Sequence, residues 1–144
     1  MPPPKIQFFY LDVSPTIKKK NALKGYVESI FKKEETPISH VNCIFCTDAY
    51  LFSFNSHYLK HNSFTDIITF SLSEKGADVF GEIYISVDRV KENAVKFQVP
   101  YVKELHRVIF HGVLHLCGYN DKTNKQSILM REKEDLYLNR YFKS

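Results

Sequence analysis

The chain has 144 residues, 44% of them hydrophobic, with 12 Phe, 9 Tyr, no Trp and a formal charge of +4. That length suits a single domain, residues 1–144, with one core. No apolar run is long enough to cross a membrane, and the stiff Pro2-Pro3-Pro4 start does not resemble a signal peptide. Cys43, Cys46 and Cys117 cannot all pair, so the reading is a cytoplasmic protein rather than a secreted, disulfide-stapled one. The mild positive charge permits a nucleic-acid partner without arguing for one.

In chain order, Ile6 to Leu11 is aromatic and β-branched and predicts a first strand. Ser14-Pro15 predicts a helix start, with Ile17, Leu23, Val27, Ile30 and Phe31 recurring at helical spacing. The lysines between them read first as a solvated face. Thr36-Pro37 ends this helix. Val41 to Phe45 predicts a second strand, on which Cys43 and Cys46 face opposite ways and serve as small buried residues rather than a zinc pair. Thr47-Asp48 caps a short helix with Tyr50, Leu51, Phe54 and Tyr58 on one side, and Leu59 to Phe64 reads as a loop.

Thr65 to Leu72 and Val79 to Ser86 predict two strands joined by a short turn as an antiparallel hairpin. Asp88 to Phe97 predicts a helix with Val90, Ala94 and Val95 inward. Pro100 opens another, which from Val108 to Cys117 is apolar nearly all round and so belongs in the middle of the domain. Thr123-Asn124-Lys125-Gln126 is a capping box for a last helix running to about Tyr141, docked through Ile128, Leu129, Leu136 and Leu138. The expected fold is α+β: a small four-stranded mixed sheet with helices packed on it and a buried central helix.

That central helix carries His111 and His115, one turn apart and therefore on one face. Gly118 can stop the helix in a left-handed conformation, and Asp121 can fold back over the histidines. Two neutral imidazoles and a carboxylate make three metal ligands and leave a position open, as catalytic sites do. The helix is otherwise too apolar to host two unpartnered imidazoles, since an unsatisfied buried polar group costs about 1–3 kcal/mol. A zinc peptidase would carry Glu after the first histidine; Gly112 stands there, and the peptidase reading lacks its base. An oxygenase facial triad does not match the spacing. Gly112 costs about 1 kcal/mol in a helix interior, which implies close approach of a backbone, a ligand or a strand. Arg107, one turn before His111, suits either a phosphate clamp or a salt bridge, for instance with Glu104.

The run His111-Gly112-Val113-Leu114-His115-Leu116-Cys117-Gly118-Tyr119 resembles the signature of the YbeY endoribonucleases, bacterial rRNA maturation factors. Tyr58 to Phe70 and Gly81 to Ser86 resemble two further segments of that family. The resemblance implies a metal-dependent, single-strand-specific endoribonuclease that matures the 3′ end of small-subunit (16S) rRNA and acts in ribosome quality control. It implies zinc, or another divalent metal, and as partners RNA and the ribosomal small subunit with its assembly factors, with no membrane and no DNA. His111 and His115 carry over as ligands, and Asp121 stands where the family has a third histidine. Leu59 replaces a family arginine, which leaves Lys60 and Arg107 to hold the scissile phosphate. The alternatives are a non-catalytic RNA-binding assembly factor with a structural metal and, less favoured, a zincin-type peptidase.

Overall fold

The computed structural model describes residues 4–58 and 65–143. Strands β1 (Ile6–Tyr10), β2 (Ile38–Cys46), β3 (Ile67–Ser71) and β4 (Val79–Ser86) form one sheet in the order β1-β2-β4-β3. β1 and β4 both run parallel to β2, and β3 closes one edge antiparallel to β4. The helices are α1 (Lys20–Lys33), α2 (Asp48–Tyr58), α3 (Val87–Phe97), α4 (Tyr101–Leu116) and α5 (Asn124–Lys143). This is the mixed sheet, hairpin and central helix that the hydrophobic pattern predicts. No helix among the described residues is long and apolar enough to cross a membrane.

The two sheet faces are unequal. One carries the main core, where Cys43, Phe45, Ile83 and Ile85 meet Leu23, Val27 and Phe31 of α1 and Leu105, Ile109 and Val113 of α4. The other face holds a smaller cluster, Cys46, Ile68 and Leu51 of α2, with Phe54, Phe70 and Tyr84 around them, and Ile44 is buried on that side of β2 as well. Cys43 and Cys46 thus lie on opposite faces, both buried and unpaired. At about 1.5–3 kcal/mol for each fully buried large apolar side chain, the α1/α4 face carries most of the stability.

α4 lies directly on the hairpin because Gly112 lets it. A Cβ there would stand 2.7 Å from Ile83 Cγ2 and 2.9 Å from Ile67 Cδ1. Gly81 admits Leu116 in the same way, 2.7 Å from where its own Cβ would be. Of the readings that the sequence leaves open for Gly112, strand packing is the one realised. The contact fixes the height of the last two turns of α4 over the sheet edge, and so fixes where the histidines emerge.

Three local expectations are corrected. Helix α1 begins at Lys20, not at Ser14: its N-cap, Lys19, is left-handed (φ 57°) and no side chain caps it. Ile17 is buried nonetheless, anchoring an irregular connection instead of a first helical turn. In α3, Val90 and Ala94 face the core but Val95 is 79% exposed. In α5 the buried stripe is Met130, Glu134, Tyr137 and Leu138, while Ile128, Leu129 and Leu136 are exposed. An acid within that stripe conceals it from a search for apolar periodicity. The capping box itself forms, with Gln126 N–H donating to Thr123 Oγ1 at 3.1 Å and Thr123 N–H to Gln126 Oε1 at 3.2 Å.

Candidate metal centre

His111 and His115 leave the same side of α4, their rings 4.6 Å apart and nearly perpendicular. Their Nε2 atoms stand 3.1 Å from each other. The helix ends one residue later, and Gly118 (φ 103°) reverses the chain, with Gly118 N–H donating to His115 O and Tyr119 N–H to Leu114 O, each at 3.0 Å. The reversal carries Asp121 back over the pair. Its Oδ2 lies 3.4 Å from His111 Nε2 and 3.6 Å from His115 Nε2. Asp121 is free to do so because Thr123, not Asp121, caps α5. Among the described residues this is the one group of three His, Cys, Asp or Glu side chains whose ligand atoms gather within 4.8 Å.

The donor set suits a cation. His111 Nδ1 donates to Glu134 Oε2 at 2.6 Å, which leaves the Nε2 lone pair free. His115 has a backbone hydrogen bond with Tyr119, and its Nε2 faces the same point. In these tautomers two lone pairs and a carboxylate converge on one point. A tetrahedral ion with bonds of about 2.0–2.1 Å separates its ligands by about 3.3 Å, against 3.1, 3.4 and 3.6 Å here. Burial pushes the His111 imidazole down, but the Glu134 carboxylate outweighs it and the net shift is upward. His115 moves the other way, lowered by burial and by His111.

Glu134 is the residue that sequence reasoning missed. It is 5% exposed and lies on the buried stripe of α5, where an acid among core positions was the available signal. Its Oε1 accepts from Arg107 Nη1 at 3.0 Å, and Arg107 Nη2 donates to Asp135 Oδ1 at 2.7 Å. Arg107 therefore pairs with α5 rather than with Glu104, while still lining the cavity beside His111. Lys60, with Leu59, lies outside the described residues.

Two cavities flank the centre. One, of about 350 Å³, is lined by Glu104, Arg107, His111, Asp121 and Glu134. The other, of about 470 Å³, runs along β3 past Thr65, Thr69 and Ser71 to His115. Asp66 opens onto both, its carboxyl raised by burial.

The comparisons with known proteins follow the same residues. The family model described as endoribonuclease YbeY matches residues 12–142. The endoribonuclease YbeY of Flavobacterium psychrophilum is 43% identical over 127 residues, 88% of this chain and 90% of that protein. That of Cytophaga hutchinsonii is 44% identical over 133 residues, 92% of this chain and 93% of that one. A solution structure from Thermotoga maritima superposes with a TM-score of 0.66 at 34% identity, covering 92% of this chain and 87% of its own. The motif on α4, the sheet order around it and these alignments point one way: the chain belongs to the endoribonuclease YbeY family.

Proposed function

We propose that this chain, read as one catalytic domain over residues 1–144, is a metal-dependent endoribonuclease that cuts single-stranded RNA beside His111, His115 and Asp121. One observation carries the reading: three donor atoms from α4 and the turn after it face a common point at the mouth of a cavity, spaced for one divalent ion. The reaction class comes from relatives named endoribonuclease.

A divalent ion bound there supplies Lewis-acid stabilisation of charge developing on phosphorus and acidifies a water. The protein's own groups do the rest. His111 and His115 give neutral donors, and Glu134 fixes the His111 ring and tautomer. Asp121 adds a negative charge, so the centre is a weaker Lewis acid than three imidazoles would make. Arg107 spends two of its five N–H donors on Glu134 and Asp135, leaving the others for a phosphate oxygen. Lys60 is assigned to the same phosphate on the sequence alone.

Zinc is the assigned metal because two imidazoles, a carboxylate and an open position are its usual catalytic set. Within that reading the substrate is rRNA, the cut matures the 3′ end of small-subunit rRNA, and the setting is the cytoplasm with the ribosomal small subunit and its assembly factors. The test is to make His111→Ala and His115→Ala, then measure bound metal and cleavage of single-stranded rRNA. Loss of both is expected. Full-rate cutting by a metal-free variant overturns the reading.

A further inference from the structure

Seven residues before His111, on the same face of α4, Glu104 is 6% exposed yet its side chain has neither hydrogen bond nor ion pair among the described residues. Buried carboxylates are almost always paired, because an unmet charge in a low-dielectric site is costly. Glu104 is not sealed in. The polar side-chain atoms that are both sealed and unpartnered, among the described residues, are the hydroxyls of Tyr10 and Tyr101. Glu104 instead opens into two adjoining cavities, one of them shared with His111 and Asp121. Burial and the nearby Asp66 push its carboxyl up, opposed by Arg107 and Arg131 and by its place in the first turn of α4, where the helix dipole favours negative charge.

Three other side chains line both cavities: Phe97, Arg107 and Arg131. Phe97 is 56% exposed and has no ring partner among the described residues. The Arg131 side chain is 65% exposed, and its nearest acid, Glu134, is 3.9 Å away. An open aromatic face, an unpaired carboxylate and a surface guanidinium are what a single nucleotide needs: a stack, a base-edge contact and a phosphate contact. Seven residues of helix span about 10 Å, which is about three steps of a stacked nucleic-acid strand.

We propose that Glu104 and Phe97 form a nucleobase pocket that selects guanine in the strand cut at the neighbouring centre. This rests on the endoribonuclease reading and adds a sequence preference to it. Guanine alone presents two adjacent N–H donors, N1–H and the N2 amino group, which meet both carboxylate oxygens. Adenine and cytosine each offer one amino donor beside a ring-nitrogen lone pair that faces the second oxygen. Uracil places its N–H between two carbonyls, which the carboxylate repels. Phe97 stacks on whichever base enters, and so contributes affinity without choice.

The test uses full-length, zinc-loaded protein and non-cleavable 2′-O-methyl oligonucleotides: oligo-U, and oligo-U with a single internal guanosine, adenosine or cytidine. Binding is read by fluorescence anisotropy. The guanosine oligonucleotide is expected to bind about ten-fold more tightly than oligo-U, with adenosine and cytidine between. Glu104→Gln removes the guanosine advantage at unchanged zinc content. Phe97→Ala, at an exposed position that does not threaten folding, weakens all four alike. Equal binding of the four by the unsubstituted protein overturns the proposal, and so does a guanosine preference that survives Glu104→Gln. The matching all-ribose oligonucleotides separate the two claims. Guanosine-selective binding without any cutting sinks the endoribonuclease reading and keeps the pocket, whereas cutting with no base preference does the reverse.

Discussion

His111 Nδ1 donates to Glu134 Oε2 across 2.6 Å, and this contact joins the central helix to the last one at the candidate metal centre. It sets the orientation and tautomer of a proposed ligand from a different element, and Arg107 holds the other carboxylate oxygen in place. Removing such an outer carboxylate typically costs 10–100-fold in metal affinity. Glu134→Gln is therefore expected to weaken zinc binding by about that factor while leaving all three ligands present. Competition against a chromogenic chelator measures it. Affinity equal to that of the unsubstituted protein would show that Glu134 only fills space.

A second carboxylate ties α1 to the turn after α4 and to α5. Glu34, at the C-cap of α1, accepts from Tyr119 Oη at 2.6 Å, from Lys133 Nζ at 3.2 Å and from Tyr137 Oη. Burial pushes its carboxyl up, but the three donors outweigh burial and hold it below its ordinary 4.5. A carboxyl with a lowered folded-state pKa stabilises the fold above the unfolded value and loses that contribution as pH falls through the lowered one. Urea unfolding of the metal-free protein should show stability declining from about pH 4.5 downward. Glu34→Gln should flatten that part of the curve. An identical acid limb in the variant assigns the decline to other groups.

Gly112→Ala tests the seat of α4. Alanine is better than glycine in a helix by about 1 kcal/mol, which on its own predicts a more stable protein. Here its Cβ would meet Ile83 Cγ2 at 2.7 Å and Ile67 Cδ1 at 2.9 Å. Overpacking of a buried site costs about 1–3 kcal/mol, and the Ile83 atom sits on a stiff β-branch. The expected result is a net loss of about 1 kcal/mol in denaturant unfolding, with weaker metal binding as the helix lifts off the strands. A gain in stability would mean that the strands yield freely.

Most of the fold was legible because its signals are local and periodic. The apolar run of α4, the short turn at Gly76 and the Thr123 to Gln126 box each declare themselves within a few residues. The histidine pair and Asp121 were legible for the same reason, since one helical turn and one reversal bring them together. Glu134 was not. It gains its meaning from His111 and Arg107 on an element distant in sequence, and reads in isolation as one more acid on a charged helix. The start of α1 was misread because Ser14-Pro15 carries a sound capping signal, yet the connection from β1 must first bury Ile17 before the chain can turn into a helix. The stripe of α5 was misread because Glu134 occupies one of its inward positions.

The most direct measurement is a zinc-soaked crystal with anomalous diffraction collected on both sides of the zinc edge. The account predicts one ion with His111 Nε2, His115 Nε2 and an Asp121 oxygen each at about 2.0–2.2 Å, and a fourth position facing the cavity. Anomalous density elsewhere, or an Asp121 carboxylate turned away from a zinc held by other residues, would contradict it.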